Sequence, residues 1–238
     1  MVSICIPFSP KKSSNTESLK QLLESLCNQS YRRFEVIISS AIPVDSIQKE
    51  LKETNLPLDI RFVKNEADNS SEASLLNEAI KEAKYPIIKP ILPDALVIND
   101  KMIGKIIGAK GKWGAVSRKL SEKNKTITPR WTNNILAGNN KLGNISGVYF
   151  EMKEGLIFDD KLTHLTDVDL YYRLHEAYGT PFYINDTCLA SHISDQKDPN
   201  LWHDDIRYLS EKHNLPQLEK KFRQRLFWKK YTSFLKLF

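Results

Sequence analysis

An alternation constrains this chain more than any single motif. The apolar runs "VSICIPF" (2–8), "FEVIIS" (34–39) and "LDIRFVK" (58–64) read as buried strands, and each gives way to a segment with helical spacing. Leu19, Leu22, Leu23, Leu26 and Cys27 fall at i, i+3, i+4, i+7 and i+8, one face of a helix that Asn15 or Thr16 would cap. A short helix is expected over 45–54, and Ala73, Leu76, Ile80 and Ala83 mark a third. "YPIIKPIL" (85–92) reads as a fourth strand, which Pro86 and Pro90 push toward an irregular or edge position. Strands alternating with helices predict an α/β domain built on a mainly parallel sheet.

Past residue 100 the pattern loosens. "DKMIGKIIGAKGKWGAV" (100–116) combines a helix, a basic glycine-containing loop and a strand. Residues 118–146 are polar and basic, and are expected as a long surface loop or an excursion over the active face. "ISGVYFEM" and "PFYIND" are late strands, with the helix of "THLTDVDLYYRLHEAYG" (163–179) between them. The chain divides into a domain over 1–212 and a basic helical tail over 213–238. In the tail Phe227, Tyr231, Phe234, Leu235 and Phe238 share one face amid seven Lys and Arg side chains. Such a helix suits an anionic membrane surface, here through residues 215–238, or docks on its own domain with its lysines in water.

With 41% hydrophobic and 27% charged residues over 238 positions, a globular protein is expected. No apolar run reaches membrane-spanning length. Cys5, Cys27 and Cys188 share no metal-type spacing, and the apolar start has no basic leader. Free thiols and a cytoplasmic location, peripheral on the inner face of the membrane, follow as expectations. The net charge of +6 would suit nucleic acid, anionic lipid or a phosphorylated small molecule. Neither G-x-G-x-x-G nor G-x-x-x-x-G-K-[ST] occurs. The basic G-x-x-G of "IIGAKGKWG" runs into a strand instead of joining two helices, so an RNA clamp, and with it a nucleic-acid partner, is not expected.

Asp167 and Asp169 open the 163–179 helix. Acids in a first turn stabilise any helix by about 0.3–1 kcal/mol, with Thr166 as a candidate N-cap. Position alone favours that helix-stabilising role, although a carboxylate there, kept ionised by the helix N-terminus, can also take a proton. "VSICIPFSP", "LKQLLESLCNQSYRRFEVIIS", "EASLLNEAIKEAKY" and "SGVYFEMKEGLIFDDKLTHLTDVDLYYRL" together resemble, in order and over residues 1 to about 195, the inverting family-two glycosyltransferases of GT-A fold. That resemblance implies a GT-A-like (Rossmann-like) domain that moves a sugar, with inversion, from a nucleotide-sugar to a hydroxyl of a glycan or lipid-linked acceptor. It assigns Asp167 as catalytic base, with Thr166 where the family has Glu. Asp169 and Arg173, four residues apart, become acceptor or support residues. Donor contacts fall on Pro7, Ser39, Ser40, Asn77 and Lys89, and metal contacts on Asp94 and His192.

Two family signatures are missing. The second strand ends in Ser39 and Ser40 where paired aspartates would hold the nucleoside, and Asp94 alone stands near the Asp-x-Asp position. Either Asp94 and His192 suffice for Mn or Mg, or a cation such as Lys89 or the basic 105–130 stretch replaces the metal. The remaining alternative is a catalytically silent module that binds a glycan or protein partner. Surface polysaccharide or glycolipid synthesis is the role the resemblance and the tail imply together.

Overall fold

The computed structural model describes residues 1–9, 16–52, 56–64, 71–120, 125–191 and 199–235. The elements run β1 (Val2–Phe8), α1 (Thr16–Cys27), β2 (Phe34–Ser40), α2 (Val44–Lys52), β3 (Ile60–Lys64), α3 (Glu72–Lys81), β4 (Ile87–Pro90) and β5 (Ala95–Val97). They continue with α4 (Met102–Ile107), β6 (Trp113–Leu120), β7 (Lys125–Ile127), β8 (Val148–Glu151), α5 (Thr166–Tyr178), β9 (Phe182–Ser191), α6 (His203–Lys212) and α7 (Leu218–Leu235). One sheet joins the strands in the order β3-β2-β1-β4-β8-β6-β9-β5, with β7 on β6. The first four are mutually parallel, and β8 runs antiparallel between β4 and β6. The C-terminal ends of β1, β2, β4 and β6 therefore share one edge of the sheet, together with the segment that enters β8. Ligands bind at this edge in open α/β sheets.

Alternation along the strands builds two cores. Val2, Ile4, Ile6 and Phe8 of β1, with Val36 and Ile38 of β2, pack against Leu19, Leu22, Leu23 and Leu26 of α1 and against Met102 and Ile103 of α4. Cys5 and Ile37 point the other way, toward α3, α5, α6 and the start of α7. Each fully buried Leu of α1 contributes about 1.5–3 kcal/mol, an upper figure because the unfolded chain is already partly collapsed. α3 forms where the spacing predicts. Its N-cap Ser71 accepts the Ser74 N–H at 3.0 Å, Glu72 sits in the first turn and Lys81 in the last.

Two expectations are corrected. β4 is central, lying between β1 and β8. Its prolines are tolerated because Pro86 precedes the strand and Pro90 ends it, so the missing N–H groups fall outside the paired interior. The 118–146 stretch is less of a surface loop than its polarity suggested. β6 runs to Leu120, and Ile135, Leu136, Ala137 and Leu142 are buried in the core.

Candidate active site

α5 begins at the ligand-binding edge and ends at the opposite one. Tyr171, in its second turn, donates its hydroxyl to the Gly143 carbonyl at 3.2 Å. At the far end Trp113 Nε1, at the start of β6, donates to the Gly179 carbonyl at 2.8 Å. Asp167 is half-buried in the first turn, and its Oδ1 accepts the Val168 N–H at 2.8 Å. A carboxylate held by its own helix N-terminus is favoured in the charged, proton-accepting form.

Facing it is a wall the sequence did not announce. Arg118 of β6 lays its guanidinium against Gly143 and donates to Asn144 Oδ1 at 2.8 Å. Gly143 has φ +97, and a Cβ there would lie 2.4 Å from Arg118 Cζ, so both backbone and space require glycine. Burial lowers the Arg118 pKa, against the raising effect of the Tyr171 and Asp167 charges. The Tyr171 phenol is pushed well up, first by burial and then by Asp167. The base candidate and the guanidinium thus lie within each other's field. Arg118 Nε has no acceptor among the described residues.

Asp169, two positions on, points into the protein. It is fully buried, and Oδ2 accepts from Arg173 Nε at 2.8 Å and Lys212 Nζ at 2.9 Å, while Oδ1 meets His213 Nε2 at 2.8 Å. Burial raises its pKa, but the His213 hydrogen bond, Arg173 and Lys212 outweigh that and hold it below the usual carboxylate range. Lys212 also bonds Asp159 at 2.6 Å, and Tyr208 donates to Asp159 at 2.9 Å. Asp159 is likewise held low, burial being outweighed chiefly by the Lys212 hydrogen bond.

The expected donor contacts separate into two groups. Pro7 and Ser39 are register partners on β1 and β2, with Ser40 beside them at the same edge. Ser39 Oγ is fully buried and has no hydrogen-bond partner among the described residues. Ser40 Oγ closes its own turn, donating to the Ile42 carbonyl at 2.9 Å and accepting its N–H at 3.1 Å. Asn77 and Lys89 lie inside. Asn77 clamps the Phe158 backbone, with Nδ2 to the carbonyl at 2.9 Å and Oδ1 from the N–H at 2.8 Å. Lys89 is fully buried with Nζ on the Pro90, Ser146 and Val148 carbonyls, which takes all the N–H groups of an ammonium. Burial, slightly offset by Cys188, brings its pKa down to about 7. Asp94 is half-buried between β4 and β5, and His192 lies outside the described residues. Among the described residues no three His, Cys, Asp or Glu side chains converge, so they form no all-protein cage for a divalent cation.

No protein-family model and no curated protein matches the chain. Solved structures do. Residues 1–349 of S. aureus TarS superpose with a TM-score of 0.70 at 14% identity, over 95% of this chain and 71% of that one. The TarS complex with UDP-GlcNAc gives 0.69 at 13% identity, over 95% and 72%. Against a longer TarS structure this chain spans only 43% of the length. The mannosyltransferase PcManGT from Pyrobaculum calidifontis, in complex with GDP-Man and Mn2+, gives 0.59 at 16% identity, over 87% and 61%. The chain has a GT-A-like fold with a mainly parallel sheet flanked by helices.

Proposed function

We propose that this GT-A-like protein is a glycosyltransferase that moves a sugar from a nucleotide-sugar to a hydroxyl of a glycan or lipid-linked acceptor, with inversion at the anomeric carbon. One observation carries the reading: Asp167 stands half-buried at the ligand-binding edge of the sheet, within the field of Arg118, on a helix start that favours its charged form. A fold shared with sugar-binding neighbours supports the class of donor. A fold alone does not choose a chemistry, so the carboxylate's placement has to.

In the proposed step the acceptor oxygen attacks the anomeric carbon while the bond to the leaving diphosphate oxygen breaks with its electron pair. Asp167 takes the acceptor proton as the new bond forms. Pro7, Ser39 and Ser40 would mark the nucleoside end, where the Ser39 hydroxyl is a buried polar group with no partner among the described residues. No step is routed through a metal, because no three ligand side chains converge among the described residues. The basic tail would keep the enzyme at the inner face of a membrane carrying its acceptor, in surface polysaccharide or glycolipid synthesis.

The test is thermal unfolding with UDP-GlcNAc, GDP-mannose and other nucleotide sugars, each with and without Mn2+. At a donor concentration about 100 times Kd, stabilisation of about 2.7 kcal/mol is expected. Dependence on Mn2+ would return Asp94 and His192 to consideration as ligands. Stabilisation without turnover would favour the silent binding module, and no stabilisation by any donor would remove the transferase reading.

A further inference from the structure

A carboxylate from another helix grips the loop that enters α5. Asp205, in the first turn of α6 and nearly fully buried, accepts three successive backbone N–H groups. Thr163 reaches Oδ1 at 3.2 Å, while His164 and Leu165 reach Oδ2 at 2.7 and 2.9 Å. Leu165 is the residue before α5 and supplies no capping side chain. Its carbonyl accepts the Asp169 N–H at 2.9 Å, so the Leu165 peptide fixes where the helix starts. Asp205 does from a distance what an N-cap Ser or Asp does locally, with the added strength of a charged acceptor. α6 also grips α5 through Lys212 and His213 on Asp169, at the other end of its length.

Helix start and side-chain direction are coupled. A slip of one residue rotates the face of a helix by about 100°. Asp167 would then leave the wall formed by Arg118 and Gly143. We propose that Asp205 is a positioning residue for Asp167: by holding the 163–165 amides it sets the start of α5 and so keeps the carboxylate at the ligand-binding edge beside Arg118. The inference rests on the reading of Asp167 as base. It concerns a residue on α6, outside the sequence stretch, 1 to about 195, whose motifs resemble family-two glycosyltransferases.

The test compares Asp205→Asn, Asp205→Glu and the neighbouring core variant Ile206→Val in the full chain. Backbone amide exchange is measured together with nucleoside diphosphate release from UDP-GlcNAc or GDP-mannose. The Val168 amide is the informative probe, because it bonds the Asp167 carboxylate itself. Asp205→Asn should raise exchange at Thr163–Leu165 and also at Val168 by at least about tenfold. It should lower kcat by roughly 10- to 100-fold, the scale of an ångström's misplacement. The donor KM should stay within about twofold. Asp205→Glu, which keeps the charge, should recover part of both signals. Loosened amides at 163–165 with Val168 exchange and kcat unchanged would overturn the proposal, as would the same pattern in Ile206→Val at an equal loss of stability. If neither donor is turned over, Val168 exchange decides alone. If Asp167→Asn retains turnover, the base reading fails and the exchange result still stands.

Discussion

Asp169 is enclosed by Arg173, Lys212 and His213, whereas Asp167, two positions earlier, is half-buried at the ligand-binding edge. The difference predicts opposite phenotypes. Asp167→Asn should abolish transfer while changing stability by less than about 1 kcal/mol, the value of a first-turn charge. Asp169→Asn should cost about 2–3 kcal/mol, below the range for a fully buried pair because Lys212 and Arg173 remain partly solvated. Chemical denaturation of both variants checks this, and a large stability loss in Asp167→Asn would favour a capping role. The acid response follows from the same groups. Asp169 and Asp159 have native pKa values below the ordinary carboxylate range, so their stabilisation is complete above about pH 4 and is lost as pH falls through the native values. Thermal unfolding from pH 7 to 3 should show this acid limb, flattened in Asp169→Asn. Sequence made both aspartates visible through the phrase around them. It could not tell the buried one from the half-buried one, because Lys212 and His213 lie 43 and 44 positions away. Arg118 escaped notice for the same reason: alone it is one basic residue among many, and its meaning comes from Gly143 and Asp167.

At the scale of elements, β1, α1, β2, α3 and α5 were legible because each carries a run or stripe of apolar side chains toward the core. Where the apolar signal was short it failed. β5 and β7 have three residues each and went unread, and α6 was hidden by its polar surface although Ile206 and Leu209 are buried. β4 was misjudged because proline was weighed as if it stood inside the ladder. Asn77 shows how a residue read as a donor contact can instead join elements. It fixes the β8–α5 connection to α3 through both backbone groups of Phe158. Asn77→Leu would leave one N–H and one carbonyl unpaired in the interior, at about 1–3 kcal/mol each. The expected result is a stability loss of about 2–4 kcal/mol with donor affinity unchanged in the folded fraction. Weakened donor affinity at full stability would restore Asn77 to the donor site.

For the molecule as a whole, the question is how a chain of net charge +6 finds its acceptor. Among the described residues no helix is long and apolar enough to cross a membrane. α7 has a divided character that composition did not reveal. Its start belongs to the core, with Leu218 at 5% and Phe222 at 1% exposure and Trp202 stacked on Phe222 at 6.3 Å. Farther along, Phe227 is 64% exposed, and the side chains of Tyr231, Phe234 and Leu235, together with Phe238, lie outside the described residues. Docking therefore holds for the start of this helix, and membrane contact is proposed only for the part beyond it. This changes the deletion that tests them. Removing 215–238 would strip Leu218 and Phe222 from the core and unfold the site for reasons unrelated to lipid. Removing 227–238 leaves those anchors and takes away Phe227, Tyr231, Phe234 and Phe238 with Lys229, Lys230 and Lys236. We expect that shorter deletion to keep its melting temperature within a few degrees, since about 1 kcal/mol corresponds to about 2–4 °C at this size. It should lose binding to phosphatidylserine vesicles, and the binding of the full chain should weaken between 50 and 500 mM salt as screening shortens. Unchanged vesicle binding by the truncated protein would assign the membrane contact elsewhere or nowhere, while a collapse in melting temperature would mean that docking extends beyond Phe222.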